Sequence, residues 1–170
     1  MATARPGDWW TGVHGSPMTA AMSDSVMRLI PADPAYVPDS AAQQRARTFL
    51  REALPEADRI ASTVSEETRF LDPGENFTTV FCPACGTDLG TWWHQVMDRA
   101  FAAQFTDLAV VTPCCGFPTS LNDLRYDMPA GFGRFSLEAL NPKVSQLPAE
   151  QQTRLEQLLG CRLRLIWARY

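Results

Sequence analysis

The sequence predicts an α+β domain in which about three helices pack on a largely antiparallel sheet. Short apolar runs bounded by turn residues alternate with three amphipathic stretches. The chain has 170 residues, of which 45% are hydrophobic, and this suits one compact domain. The elements follow the order β-α-β-β-α-β and then β-α-β. The first six match the split-βαβ order, and we expect the C-terminal β-α-β to extend the same sheet.

The N-terminal segment, residues 1–25, differs in composition from the rest of the chain. It is rich in Gly, Pro, Ser, Thr and Ala and shows no apolar periodicity, so we expect a disordered tail. Met22 offers a second translation start, which leaves open whether the preceding residues are translated. Residues 26–170 are predicted to form a single α+β domain that binds a metal ion.

The first elements are a strand, a helix and one or two further strands. A strand at residues 26–30 precedes a helix that Asp39 or Ser40 caps and Pro55 closes. The apolar positions of this helix lie three and four residues apart: Ala42, Ala46, Phe49, Leu50 and Ala53. Residues 58–71 then predict one or two strands, which a turn separates from the rest of the chain.

The remaining elements are four strands and two helices. We predict the strands at residues 77–81, 108–111, 131–140 and 163–167, and the helices at residues 91–105 and from Pro148 to Gly160. The first of these helices places Trp92, Val96, Ala100 and Ala103 on one face, with Trp93, Met97 and Phe101 beside them. Proline in the first turn and glycine at the C-cap define the last helix.

Four of the five cysteines occur in two similar turns, and each turn follows an apolar strand. Residues 82–86 read Cys-Pro-Ala-Cys-Gly, a spacing that lets two thiolates reach one ion at about 2.3 Å. Residues 112–116 read Thr-Pro-Cys-Cys-Gly, which is the same motif with Thr112 in place of its first cysteine and Cys114 at its variable position. The two turns together predict an embedded, zinc-ribbon-like site that holds a structural Zn²⁺ ion.

The predicted metal ligands are Cys82, Cys85, Cys114 and Cys115. Side chains of adjacent residues tend to point apart, so the fourth ligand stays open between Cys114 and His94. A closed site with four ligands is structural, because catalytic zinc keeps an open position. A vicinal disulfide between Cys114 and Cys115, or a redox role for Cys82 and Cys85, is the alternative hypothesis.

Composition argues against several classes of function. The net charge of −4 and pI of about 5.1 make nucleic-acid binding an unfavoured hypothesis, because phosphate contacts call for a basic surface. No stretch approaches the roughly 20 apolar residues of a membrane-spanning helix. The N-terminus lacks the pattern of an export signal, so we expect a cytoplasmic, reducing location, where clustered cysteines more often bind metal than form disulfides.

A resemblance extends over about residues 26–170. The chain resembles a group of uncharacterised small bacterial proteins that share a CPxCG knuckle, a Trp-rich helix, a TPCCG turn and a Ser-Leu-Asn-Asp-Leu segment before a Pro-x-Gly-Phe strand. The group is similar to zinc ribbons locally, and the resemblance implies a fold and a metal, not a reaction. It implies metal ligation by the four cysteines and marks further motif positions without an assigned role: Trp92, Trp93, Ser120, Asn122 and Asp123.

The sequence supports three hypotheses of function. The first is a zinc-stabilised module that binds another protein, adaptor-like or immunity-like by analogy with other small acidic bacterial proteins. Its candidate partner-binding residues are Trp92, Trp93 and His94, on the helix that follows the first cysteine turn. The second is an enzyme that uses the polar residues after Cys115, and the third is a nucleic-acid-binding zinc ribbon. The lack of a Ser-His-Asp or Cys-His pattern argues against an enzyme.

Overall fold

The computed structural model describes residues 23–170. The predicted disordered tail and the candidate start at Met22 therefore lie outside the described residues, except that Ser25 already begins the first strand. Three helices, eight strands and one short 3₁₀ helix follow within this range. They are β1 (Ser25–Pro31), α1 (Ser40–Ala53), β2 (Arg59–Leu71), β3 (Val80–Phe81), α2 (Gly90–Ala102), β4 (Ala109–Val111), β5 (Pro118–Ser120), the 3₁₀ helix (Leu121–Asp123), β6 (Arg125–Tyr126), β7 (Gly131–Leu140), α3 (Ala149–Leu159) and β8 (Leu163–Arg169).

Four strands form the main sheet, in the order β2-β7-β1-β8, and every neighbouring pair is antiparallel. Helix α1 joins β1 to β2, and α3 joins β7 to β8. In the sheet, β7 lies between β1 and β2, and β1 lies between β7 and β8. Each β-α-β unit is thus split by a strand of the other, which is the split-βαβ order. The predicted α+β class is confirmed, together with its three helices and antiparallel sheet.

The strands that build the split-βαβ order differ from the predicted ones. The strands predicted at residues 77–81 and 108–111 are shorter, and they pair with β6 and β5 in two separate two-stranded sheets. The second half of the order is instead the C-terminal unit of β7, α3 and β8. Residues 72–130 thus form an insertion between the two halves, and this insertion carries both cysteine turns.

Helices α1 and α3 cover one face of the main sheet. Alternate residues of β7 point towards them, because successive side chains of a strand face opposite sides. The buried residues of this layer include Met27, Leu29, Phe135, Leu137 and Ala139 from the sheet and Ala46, Leu50, Leu155 and Leu159 from the helices.

The predicted caps of α1 and α3 are present in the structure. The Asp39 carboxylate accepts the N–H of Ala42 at 2.7 Å, and Gly160 ends α3 with a φ of 73°.

The insertion packs on the main sheet through a second hydrophobic core. Phe132 of β7 points to the face of the sheet opposite to α1 and α3. Its ring centroid lies 5.0 Å from that of Phe70. The Phe70 ring contacts Trp93 of α2, with 5.8 Å between ring centroids, and Phe132 belongs to the same buried cluster. The buried face of α2 consists of Trp93, Met97 and Ala100. None of the helices within residues 23–170 combines the length and apolar character needed to span a bilayer.

Helix α2 differs from its prediction in its buried face and in its end. The prediction placed Trp92 on the main apolar face and Trp93 beside it, whereas the structure leaves Trp92 half-buried and places Trp93 in the core with no exposed surface. The helix ends at Ala102 because Gln104 and Phe105 have φ values of 56° and 53°. This left-handed turn sends the Phe105 ring back into the core, 5.2 Å from the ring of Phe132.

Candidate metal centre

The two cysteine turns have the same backbone conformation. In each turn the N–H of the first residue donates to the carbonyl five positions later, at 2.8 Å in the turn from Cys82 and 3.0 Å in the turn from Thr112. The glycine N–H of each turn donates back to the carbonyl of the first residue, at 3.0 Å and 2.9 Å. Gly86 and Gly116 have φ values of 76° and 69°, which an L side chain rarely adopts.

The equivalence of the turns shows what is irregular in the second one. Thr112 occupies the position that Cys82 has in the first turn, and Cys115 occupies the position of Cys85. The fourth sulfur comes from Cys114, at the variable position of the motif. Sequence inspection suggested this substitution, and the shared hydrogen-bond pattern supports the same alignment of the two turns.

The four cysteine sulfurs converge, and each lies within 4.8 Å of the others. The Sγ atoms of Cys85 and Cys114 are 3.3 Å apart, those of Cys82 and Cys115 are 3.7 Å apart, and those of the adjacent pair are 3.9 Å apart. A tetrahedral ion with sulfur ligands at about 2.3 Å sets its sulfurs about 3.8 Å apart. The cysteines are free thiols, and their arrangement can hold one metal ion.

The structure favours Cys114 over His94 as the fourth ligand. The group of ligand atoms within 4.8 Å of one another consists of the four cysteines and does not include His94. His94 is exposed on α2 and lines an open groove that also reaches Cys114. The remaining cysteine, Cys161, is half-buried and packs against the core between the helices and the main sheet, away from the cluster.

Thr112 is part of the site, a role that the sequence analysis did not assign to it although it placed Thr112 at the first position of the motif. Its side chain is buried, with 1% of its surface exposed, and its Oγ1 lies 3.7 Å from the Sγ of Cys82 and 3.5 Å from the Sγ of Cys115. The same oxygen accepts the N–H of Phe117 at 3.1 Å, which leaves its own proton available to a sulfur. Its equivalence to Cys82, visible in the sequence, is the signal that points to this role. A hydroxyl beside bound thiolates orients them, as outer-shell groups do in metal sites.

Local electrostatics differ between the two turns. Burial raises the pKa of Cys82, but the backbone N–H groups of Cys85 and Ala84 outweigh it and lower this pKa to about 6. The Thr87 hydroxyl, 3.1 Å away, lowers the pKa of Cys85. Desolvation and the neighbouring sulfur of Cys85 raise the pKa of Cys114 to about 11. Because the thiolate is the metal-binding form, the first turn is the better prepared half of the site.

The candidate partner-binding residues of α2 fall into two groups. Trp93 is fully buried and cannot contact a partner, so its assignment to a binding surface was wrong. Trp92 is half-buried and His94 is exposed, and both line the groove beside Cys114. Two exposed apolar side chains that the sequence analysis missed flank the second turn. They are Val111, which is 60% exposed, and Phe117, which is 41% exposed.

The Ser-Leu-Asn-Asp-Leu segment fixes the insertion to the main sheet. The Ser120 hydroxyl accepts the N–H of Asn122 at 3.1 Å and so caps the 3₁₀ helix. The Asn122 amide donates to the carbonyl of Ala32 at 3.1 Å, and its Oδ1 accepts the N–H of Phe132 at 3.0 Å and the guanidinium of Arg164 at 3.1 Å. These bonds give the motif positions Ser120 and Asn122 a structural role.

The third polar residue of that segment contributes less. Asp123 lies 3.8 Å from Arg164, and its side chain is 65% exposed. An exposed ion pair at this distance is worth about 0–1 kcal/mol. The segment therefore supports packing mainly through the hydrogen bonds of Ser120 and Asn122.

Comparisons with family models, curated proteins and solved structures found no match to the chain. The function is therefore inferred from the geometry of the cysteine cluster and of the surface around it.

Proposed function

We propose that the protein is a zinc-stabilised module whose insertion binds another protein. The observation that carries this proposal is the convergence of four cysteine sulfurs from two equivalent turns. Soft thiolate ligands in tetrahedral geometry are typical of Zn²⁺ or of iron–sulfur centres, and the paired CPxCG-like turns favour zinc. Four protein ligands fill a tetrahedral shell, so the ion would have a structural role.

The ion would stabilise the insertion by joining its two small sheets. Cys82 follows β3 and is buried in the second core, whereas Cys114 and Cys115 follow β4. The β3–β6 and β4–β5 pairs have strands of only two or three residues, and two-stranded sheets of this size are marginal in water. One ion bound by both turns would fix the two sheets relative to each other.

The surface that the ion would organise has the character of a docking site. Trp92 and Val111 line one groove between α2 and β4, and Phe117 follows directly after the second turn. We call these three residues the apolar rim. Exposed aromatic and aliphatic side chains next to a rigid element are typical of protein-binding surfaces. The net charge of −4 gives nucleic-acid phosphates no comparable attraction.

Metal analysis tests the first half of the proposal. Wild-type protein is expected to carry about one zinc ion per chain by elemental mass spectrometry, since four thiolates complete the shell. Cys115→Ala is expected to lose it. Cys161→Ala is the matched control and should retain it, because Cys161 lies outside the cluster. Folded wild-type protein without metal, or with iron in place of zinc, would contradict the proposal.

Site-specific crosslinking tests the second half. A photoreactive phenylalanine analogue placed at position 117 is expected to capture a defined partner in cells of the source organism. The same analogue at position 144 is the control, because Phe117 and Val144 are equally exposed at 41% and only Phe117 borders the cysteine cluster. Adducts of the same identity and yield at both positions would show that the apolar rim is not a specific binding surface.

A further inference from the structure

The irregular second turn moves one sulfur from the interior to the surface. A regular second motif would place its first cysteine at position 112, where the side chain is 1% exposed and lies next to Cys82. This chain has Thr112 there and supplies the sulfur from Cys114, which is exposed. Cys85 and Cys115 are exposed as well, so three of the four cysteines are exposed residues. Oxidation of cysteine follows thiolate character and exposure.

We infer that the cysteine cluster is a peroxide-sensitive switch, in which a disulfide between Cys85 and Cys114 forms and the metal ion leaves. This inference rests on the zinc site proposed above. The Sγ atoms of these two residues are 3.3 Å apart, less than the 3.7 Å and 3.9 Å that separate the other sulfur pairs in contact. A disulfide of about 2.05 Å requires them to approach by little more than one ångström.

The alternative pairs are less suitable. Cys114 and Cys115 are adjacent, and Cα atoms joined by a trans peptide lie about 3.8 Å apart, below the about 4.4–6.8 Å that a disulfide requires. Cys82 is fully buried, so an oxidant in solution meets it last. Cys85 and Cys114 are both exposed and their sulfurs are in contact at 3.3 Å, so this is the pair that exposure and geometry both favour.

The reaction needs hydrogen peroxide as the oxidant. The Cys85 thiolate attacks one peroxide oxygen, the O–O bond breaks, and the released hydroxide takes up a proton to form water. The Cys114 thiolate then attacks the Cys85 sulfenic sulfur, forms the S–S bond and displaces a second hydroxide, which also becomes water. The two thiolates lose two electrons, and the peroxide gains them. Cys82 and Cys115 remain as ligands, and two thiolates hold zinc far more weakly than four.

The test begins with zinc-loaded wild-type protein treated with hydrogen peroxide. Zinc release is followed with a colorimetric chelator, and the disulfide is mapped by peptide mass spectrometry without reduction. We expect release to accompany a Cys85–Cys114 crosslink, and a thiol reductant with added zinc to restore the starting state. A crosslink between any other pair, or release without a crosslink, would overturn the inference. Wild-type protein that never held zinc would instead remove the proposed function on which it rests.

A variant with the fourth sulfur returned to the interior provides the matched comparison. Thr112→Cys combined with Cys114→Ala restores the regular motif and reduces the exposed sulfurs to those of Cys85 and Cys115. Release by peroxide is expected to be about threefold slower or more, because Cys85 then lacks the sulfur 3.3 Å away that would resolve its sulfenic acid. An equal rate with the same zinc content would show that the position of Cys114 does not cause the sensitivity. If this variant holds no zinc, the crosslink map of the wild type decides alone.

Discussion

Removal of the metal ion is expected to unfold the insertion and to leave the main sheet in place. The sheets β3–β6 and β4–β5 are too short to persist alone, whereas β1 and β7 share long antiparallel ladders with their neighbours. Zinc-finger peptides gain about 10–16 kcal/mol of apparent binding energy, comparable to the about 5–15 kcal/mol stability of a whole domain. Loss of the ion should therefore exceed the effect of most single substitutions.

Hydrogen exchange with and without a chelator measures this effect by region. Amides within residues 80–126 should exchange at least about a hundredfold faster after chelation, because their protection then reflects local opening. Amides of β1 and β7 should keep their protection. Cys161→Ala serves as a control that changes a thiol without changing the cluster. Equal loss of protection over the whole of residues 23–170 would show that the insertion and the sheet unfold as one unit.

The long elements of the fold could be predicted from the sequence because each buries one face over several residues. The strands at β1, β7 and β8 and all three helices carry such a pattern. Strands β5 and β6 have two or three residues, and β5 begins with proline, so neither shows an alternation that could be recognised. The pairing of strands was also hidden, because it joins residues as distant in the chain as Val26 and Leu140.

The candidate site was predictable to the extent that its chemistry is local. The spacing of Cys82 and Cys85 within one tight turn is visible in the sequence, and the second turn repeats its proline and glycine. The choice between Cys114 and His94 was not visible, because it depends on the direction in which the backbone at position 114 presents its side chain. That direction follows from the hydrogen bonds that begin at Thr112.

The two neighbouring tryptophans of α2 provide the second prediction of large effect. Trp93→Ala should lower the free energy of unfolding by about 3–5 kcal/mol, the usual cost of removing a large buried aromatic side chain. Trp93 has no exposed surface, its ring stacks on Phe77 at 5.0 Å, and its Nε1–H donates to the Tyr126 hydroxyl at 3.2 Å. That hydroxyl donates in turn to the carbonyl of Leu121 at 2.7 Å, so the substitution also removes one of the two hydrogen bonds of the half-buried Tyr126.

Trp92→Ala is the matched comparison, since it removes the same side chain from the next position of the same helix. Trp92 is half-buried, so part of its side chain packs on the core and part is exposed to solvent. From the apolar area that it buries, we expect its loss to lower the free energy of unfolding by about 1–2 kcal/mol. Urea denaturation of both zinc-loaded variants measures the difference. Because the sequence pattern placed Trp92 on the main apolar face of the helix, an equal or larger cost at Trp92 would support that pattern and contradict the packing described for α2. A larger loss of stability for Trp93→Ala would confirm that Trp93 stabilises the second core and does not belong to the apolar rim.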